Sequence, residues 1–288
     1  MARVLIAGCG YAGIALGMRL AREGHVVWGL RRRPELLPAM IHPLKGDLFV
    51  QESLPVIPAA SDFVFYTAAA ARADDASYSL AYVTGIENLL RHLVGTGQTP
   101  KRIFFTSSTA VYAQTGGEWV DETSDALPCE FSGRRLLEGE QLLSRGPFPA
   151  TVVRMAGIYG PGRTRLIEQA LRGEWVLQPA RLRYSNRIHR DDCAGVLRHL
   201  MLLRAPTSLY LGSDDEPSDQ SEVLRWLAKR LEGVLSAPQA HVIANSGGPR
   251  SNKRCRNLRL KQSGYSFLFP TFREGYESIL AGMDLLRR

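Results

Sequence analysis

Cysteine is scarce: four occur in 288 residues, and Cys9, Cys129, Cys193 and Cys255 stand far apart with no Cys-x-x-Cys pair. That spacing suggests neither a zinc site nor a disulfide framework, no metal ligand set is read, and the expectation is a reduced, cytoplasmic protein. No apolar run approaches transmembrane length, and glycines interrupt the N-terminal stretch where a signal peptide needs its hydrophobic segment, so no membrane association is expected. Internal repeats and low-complexity tracts are also missing, which leaves an ordinary globular chain. With 45% hydrophobic residues it can bury a full core, as one large domain or as a domain with a smaller lobe added. Acidic residues fall short of basic ones, 28 against 36, for a net charge of +8. The excess is scattered, and it is dense only at Arg31-Arg32-Arg33 and around Lys253-Arg254, with Arg250, Arg256 and Arg259. No aromatic-interleaved RNA motif accompanies it. A generally basic surface explains it, small phosphorylated ligands are the functional alternative, and no nucleic-acid partner is expected.

What is there begins at once. The apolar run Val4-Leu5-Ile6-Ala7 leads into Gly8-Cys9-Gly10-Tyr11-Ala12-Gly13, and a helix-like segment follows over residues 14–23. Gly-x-Gly-x-x-Gly between a strand and a helix is the dinucleotide-binding fingerprint: Gly8 permits the tight turn, Gly10 admits a pyrophosphate, and Gly13 lets helix and strand pack closely. Free N–H groups at the helix N-terminus, from Tyr11, Ala12 and Gly13 onward, hold the phosphates. A glycine-rich turn without a ligand is the bland alternative, and the flanking strands argue against it.

Strands are predicted at 3–7, 25–30, 63–67, 102–106 and 151–155, where short apolar or β-branched runs are bounded by turn residues. Helices are predicted at 14–23, 79–94 and 134–143, and then at 166–172, 191–203, 222–231 and 272–286. Asp219-x-x-Glu222 reads as a capping box for the sixth of these. Pro206 and Gly247-Gly248-Pro249 mark loops. Alternating strands and helices imply an α/β fold, a doubly wound parallel Rossmann sheet. Beyond Gly157 the pattern loosens. The predicted division is a dinucleotide-binding domain at 1–157, to which 187–212 returns, and a small C-terminal substrate lobe from 158–186 and 213–288.

Five segments, in this order and spacing, resemble the extended short-chain dehydrogenase/reductase superfamily, in particular atypical members of the NAD-dependent epimerase/dehydratase family. They are Gly8-x-Gly10-x-x-Gly13, Gly46-Asp47-Leu48 after the third strand position, Thr106-Ser107-Ser108-Thr109-Ala110-Val111-Tyr112, Arg154 with Ile158-Tyr159-Gly160-Pro161-Gly162, and Ile188-His189-Arg190-Asp191-Asp192. The resemblance implies that Asp47 and Leu48 border the adenine and that Thr67, Ala68 and Ala69 line the ribose and nicotinamide side. Asp47 reads equally well as a turn residue after Gly46.

An NAD-selective site places an acid about 20 residues past the glycines, whereas a 2′-phosphate requires cations there. Here the second strand ends Leu30-Arg31-Arg32-Arg33, with no acid in the window. Arginine receives phosphate bidentately, so Arg31 and Arg32 point to NADP(H), with NAD as the other possibility. A solvated basic loop before Pro34 is the bland reading.

Catalysis departs from the pattern. The resemblance implies a Ser or Thr, a Tyr, and a Lys four residues after the Tyr, with the phenol exchanging a proton while hydride passes to or from nicotinamide. Ser108 fills the Ser position. Where Tyr-x-x-x-Lys should open the next helix, Phe131 and Arg135 stand instead, and aligning on Glu140 supplies no such pair either. Phenylalanine has no proton to give and arginine stays charged. Tyr112 and Tyr159 are candidate substitute acids, each with a structural role as the alternative. Tyr159, Asn186, Arg187 and His189 are candidate substrate-pocket residues. His189 also admits metal or acid–base chemistry, while Asp191 and Asp192 more simply open a helix at its positive end. The loop Ser251-Asn252-Lys253-Arg254-Cys255-Arg256-Asn257 either meets a phosphorylated or nucleotide-linked ligand or is solvated.

Two functions remain in view. One is an oxidoreductase or epimerase on a sugar-like or nucleotide-linked small molecule, as monomer or homodimer. The other is a non-catalytic NADP(H)-binding sensor.

Overall fold

The computed structural model describes residues 1–58, 60–172, 182–231 and 251–283. Seven parallel strands form the central sheet: β1 (Arg3–Ala7), β2 (Val26–Arg31), β3 (His42–Lys45), β4 (Phe63–Tyr66), β5 (Arg102–Ser108), β7 (Ala150–Met155) and β11 (Leu209–Gly212). Their spatial order is β11-β7-β5-β4-β1-β2-β3. The order reverses between β1 and β4, the place where open α/β sheets gather ligands at their strand ends. The doubly wound α/β fold read from the sequence is therefore the fold observed.

Among the described residues, three two-stranded pairs complete the strands: β6 (Glu118–Val120) with β13 (Lys253–Cys255), β8 (Gly157–Tyr159) with β10 (Arg187–His189), and β9 (Tyr184–Ser185) with β12 (Ser218–Asp219). The five predicted strands are present within a few residues of their expected bounds. β3 and β11, each of four residues, went unassigned.

The helices are α1 (Tyr11–Arg22), α2 (Asp75–Ser79), α3 (Gly85–Gly95), α4 (Phe131–Arg145), α5 (Arg165–Leu171), α6 (Arg190–Leu202), α7 (Gln220–Arg230), α8 (Leu258–Gln262) and α9 (Phe272–Gly282). α1 lays Ala12, Leu16 and Leu20 on the sheet at four-residue spacing, and burying each leucine contributes about 1.5–3 kcal/mol. One apolar cluster fills the sheet face under α3 and α4, and a second fills the face under α1 and α6. A third is centred on Ile167, Leu227, Phe272 and Leu280 of α5, α7 and α9. None of the helices among the described residues is long and apolar enough to cross a membrane.

Three helix predictions need correction. The single helix expected at 79–94 is broken by a π-turn at Leu80–Thr84, between α2 and α3. There the buried Tyr66 hydroxyl donates to the Ala81 carbonyl, diverting it from the regular helical ladder. Asp219 does cap α7 through the Ser221 N–H, but Glu222 pairs with Arg273 instead of closing a capping box. The box occurs at Thr271 and Glu274, at the start of α9. That helix ends at Gly282, and residues 284–286 of the predicted span lie outside the described residues, as does Gly247-Gly248-Pro249.

Asp191 and Asp192 both fall in the first turn of α6, where their charge suits the helix dipole. Asp192 does more. Fully buried, it accepts from Leu268 N–H (2.8 Å), Phe269 N–H (2.9 Å) and the Tyr265 hydroxyl (2.8 Å), fastening the segment before α9 to α6. Replacing Asp192 with Ala leaves three donors without their acceptor, so urea unfolding should show a loss of about 3 kcal/mol or more. Asp192→Asn, which keeps one acceptor oxygen, should lose less.

Candidate functional site

The fingerprint loop lies where β1 ends. Gly8 sits at φ +76°, and a Cβ there would stand 2.5 Å from the backbone of Ala68, so the loop rests directly on the chain leaving β4. A Cβ on Gly13 would lie 2.6 Å from Thr67 Oγ1 and 2.9 Å from Ile6 Cγ2. These two glycines are required by packing. Gly10 is different: its Cβ would meet nothing nearer than the Gly8 carbonyl at 3.7 Å. The protein itself has room for a side chain there, and that room faces a cleft.

The cleft has a volume of about 420 Å³. Gly8, Gly10, Tyr11 and Ala12 line it from the fingerprint, Arg31 and Arg32 from the end of β2, Asp47 and Leu48 from the loop after β3, Thr67, Ala68 and Ala69 from the end of β4, and Ser108 from the end of β5. Gly13 lies one step behind, against Thr67. The N-terminus of α1 faces the cleft with no side-chain cap and no acid in its first turn, leaving backbone N–H groups and the positive end of the helix dipole for an anion.

The electrostatics run one way. Among the described residues, Arg31, Arg32, Arg33 and Arg163 line the cleft against a single acid, Asp47. Asp47 takes both of the roles left open by the sequence: it lines the cleft, and its Oδ1 accepts the Phe49 N–H at 3.0 Å as a turn residue. Arg32 reaches it at 4.0 Å. Arg31 has no carboxylate within salt-bridge distance among the described residues. Burial pushes the Cys9 thiol up to about 12, with Arg31 pulling it back only in part, so Cys9 is an inert wall.

β5 places three hydroxyl-bearing residues in the cleft wall in succession, Thr106, Ser107 and Ser108. Ser107 donates to buried Glu140 at 2.6 Å. Ser108 Oγ accepts the Ala110 N–H at 3.2 Å, which leaves its own proton free to be donated. Thr106 Oγ1 is buried without a hydrogen-bond partner among the described residues.

Tyr112 is not among them, which corrects its place among the candidate acids. Its hydroxyl donates to the Asp121 carbonyl at 2.7 Å and accepts from Arg154 Nη1 at 3.0 Å, in a network that also joins Arg154 to Glu140 (2.7 Å). Burial pushes its phenol up to about 12. Glu140, the alternative anchor for the missing pair, is thus the partner of Arg154. Phe131 packs edge-on against Tyr78 at 5.4 Å, and Arg135 forms a two-pronged pair with Asp75 (2.8 and 2.9 Å).

Of the candidate substrate residues, Tyr159, Asn186 and Arg187 line a neighbouring cavity. His189 does not: its Nδ1 caps α6 by accepting the Asp191 N–H at 3.2 Å, and burial holds its pKa down. Asn186 is largely structural, donating to the Lys253 carbonyl (2.9 Å) and accepting from the Cys255 N–H (2.7 Å). The basic loop is also spent on structure. Buried Lys253 holds the Tyr112 carbonyl at 3.1 Å, and Arg254 stacks on Trp119 and Tyr184.

Tyr82 on the π-turn and Arg163 both line the cleft and were not singled out in the sequence. Arg163 follows Gly160-Pro161-Gly162 and lies over the Tyr11 ring at 4.2 Å. Its position after a glycine-rich turn was the available signal, whereas nothing local marks Tyr82.

Residues 4–177 match the profile of the NAD dependent epimerase/dehydratase family. Protein YeeZ of Escherichia coli K12 is 30% identical over 291 residues, covering 94% of this chain and 97% of its own. The structure of a putative NAD-dependent epimerase/dehydratase from Methylobacillus flagellatus superposes with a TM-score of 0.82 at 38% identity, covering 98% of both chains. The Bordetella bronchiseptica enzyme WbmG, solved in complex with NAD and UDP, shares the fold at 18% identity, with a TM-score of 0.78 and coverage of 99% and 95%.

The three glycines separate by cause, and stability measurements should show it. Gly13→Ala should lower the thermal midpoint markedly, since its Cβ would overlap a side chain from each of two strand ends, and Gly8→Ala should do the same. Gly10→Ala should stay within about 0.5 kcal/mol of wild type.

Proposed function

Because the chain belongs to the NAD dependent epimerase/dehydratase family, we propose that its cleft holds a nicotinamide dinucleotide, NADP(H) in preference to NAD(H), for an oxidoreductase or epimerase reaction on a sugar-like or nucleotide-linked substrate. The observation that carries the reading is Gly10: packing leaves room for a Cβ, and that room lies before the uncapped N-terminus of α1. A pyrophosphate fits there by charge and by shape. Arg31, without a carboxylate partner among the described residues, and Arg32, 64% exposed in its side chain, are the cations for a 2′-phosphate. The NAD-bound state of WbmG is that enzyme's own, and nucleotide-linked substrates come into the proposal by likeness of fold.

When bound, the nicotinamide supplies or accepts hydride. Ser108, its Oγ oriented by the Ala110 N–H, donates a hydrogen bond to the substrate oxygen. The cluster around α5, α7 and α9 is the proposed substrate lobe, apposed to the strand ends through β8 and β10.

A second reading, a coenzyme-binding sensor without turnover, is favoured by Phe131 and Arg135, which stand in structural contacts where the proton relay is expected. NADPH consumption over a panel of carbonyl compounds and nucleotide sugars separates the two. Turnover that falls at least tenfold in Ser108→Ala supports the enzyme, whereas tight NADPH binding with no consumption supports the sensor.

Replacing Arg31 and Arg32 together with Ala should weaken NADPH binding by tenfold or more, roughly the worth of a charged hydrogen bond, and leave NADH nearly unchanged. Equal losses for both would sink the NADP preference. Gly10→Ala should weaken both coenzymes alike.

A further inference from the structure

Hydride transfer to a carbonyl needs a proton donor at the carbonyl oxygen, and Phe131 supplies none. Tyr112 is spent on Asp121 and Arg154, and the Tyr159 hydroxyl is buried against Gly275 of α9. Among the described residues two tyrosines line the cleft, Tyr11 and Tyr82. Tyr11 is committed: its hydroxyl donates to the Pro161 carbonyl at 3.0 Å, and Arg163 lies over its ring at 4.2 Å. Tyr82 is not. No described residue accepts a hydrogen bond from its hydroxyl, and the half-buried side chain keeps its oxygen open to solvent. The backbone N–H of Ala70 favours the phenolate, so it addresses the oxygen and leaves the proton free.

The surrounding backbone holds Tyr82 in place. It belongs to the π-turn Leu80–Thr84, whose register is set by the Tyr66 hydroxyl on the Ala81 carbonyl, and such turns within helices are frequent at functional sites. From α4, Gly139 presses on the Tyr82 carbonyl, where a Cβ would stand 2.3 Å away. The Tyr82 ring is 6.3 Å from that of Phe105 on β5 and 5.3 Å from that of Tyr78, which meets Phe131 at 5.4 Å. Tyr82 is therefore two ring contacts from Phe131, and unlike Phe131 it lines the cleft. Sheet order also puts it in the appropriate half. β4 and β5 end on the far side of β1 from the arginines of β2. A dinucleotide with its 2′-phosphate at Arg31 and Arg32 and its pyrophosphate at α1 extends its other half toward Ala69, Ser108 and Tyr82.

We propose that Tyr82 is the proton donor of the reaction in this cleft, with Ser108 as a second hydrogen-bond donor to the same substrate oxygen. The inference rests on the dinucleotide reading. A substrate carbonyl carbon that accepts hydride from the reduced coenzyme passes its π pair to oxygen, and the oxygen takes the Tyr82 proton. The substrate leaves as an alcohol, reduced by one hydride and one proton, and solvent reprotonates the Tyr82 phenolate. Burial pushes the phenol up to about 12, so the proton stays on Tyr82 at neutral pH until the substrate oxygen becomes the stronger base.

The test places a ring-fluorinated tyrosine at position 82 of the full-length protein and follows its fluorine NMR signal against pH, with NADP+ and with NADPH. The oxidised nicotinamide carries a positive charge that the reduced ring lacks, so a phenol beside it should titrate about one pH unit lower, or more, with NADP+. In parallel, Tyr82→Phe should keep the NADPH affinity within about twofold by calorimetry, while NADPH consumption over the carbonyl and nucleotide-sugar panel falls about a hundredfold or more.

Equal titration with the two coenzymes puts Tyr82 away from the nicotinamide and overturns the proposal, as does equal turnover by wild type and Tyr82→Phe. A titration shift without turnover of any panel member overturns the donor role and favours the sensor, with the dinucleotide reading left standing. Failure of wild type to bind either coenzyme overturns the dinucleotide reading itself, and the proposal with it.

Discussion

The contact on which the architecture turns is the approach of the fingerprint loop to the chain leaving β4, so close that a Cβ on Gly8 would stand 2.5 Å from Ala68. β1 and β4 are the strands between which the sheet order reverses. Their helices leave on opposite faces, and a trough at the C-terminal strand ends follows from the topology. Gly8 closes the floor of that trough and Gly13 lets α1 start directly against it. Because both glycines are fixed by packing, the α1 N-terminus is held rigid, and its unspent N–H groups face one direction. A site built this way requires little reorganisation to receive an anion.

A second constraint lies beneath the wall of the cleft. Arg154 and Glu140, each buried to more than nine-tenths, pair at 2.7 Å and draw in Ser107 and Tyr112. Their mutual attraction offsets much of the desolvation of both charges, and removing either alone would leave the other unpaired. The pair fixes the end of β5 against α4, and so fixes Ser107 and Ser108. Tyr112 contributes here as a wedge, its ring 5.0 Å from the Arg154 guanidinium.

Much of this was legible in the sequence for definite reasons. β1, β4 and β5 are continuous apolar runs, as strands buried on both faces must be, and Gly8 to Gly13 carries a mechanism at each glycine. The cleft-lining residues predicted from the fingerprint, the basic strand end and the loops after β3 and β4 converge in space because parallel strands present all their C-terminal ends at one edge. What escaped was set by distant partners. The π-turn depends on the Tyr66 hydroxyl, fifteen residues from the carbonyl it binds. Glu222 is drawn to Arg273 and Glu140 to Arg154, and nothing local announces either pairing. Asn186 and Lys253 look like ligand groups by type, yet the backbone groups they bind lie on segments that only the fold brings near, while His189 is spent locally on the N–H of Asp191. Tyr82 and Arg163 reached the cleft through a helix irregularity and a loop, the two features a periodic reading resolves least.

Phe131 and Arg135 have a structural role in α4. Phe131 and Arg135 occupy one face of its first two turns, where they meet Tyr78 and Asp75 of α2. Both contacts hold α4 against the segment that carries Tyr82, and Gly139 lets the helix press on the Tyr82 carbonyl, where a Cβ would stand 2.3 Å away. This face of α4 is therefore committed to packing. Meanwhile the end of β5 keeps a donor-competent Ser108 in the cleft and a buried, unpartnered Thr106 hydroxyl beside it. The cleft proposed for the coenzyme is built on β1, β2 and α1, whereas Phe131 and Arg135 belong to α4. A change in α4 can therefore leave the cleft intact, so on the proposed reading coenzyme binding and proton chemistry are free to vary separately.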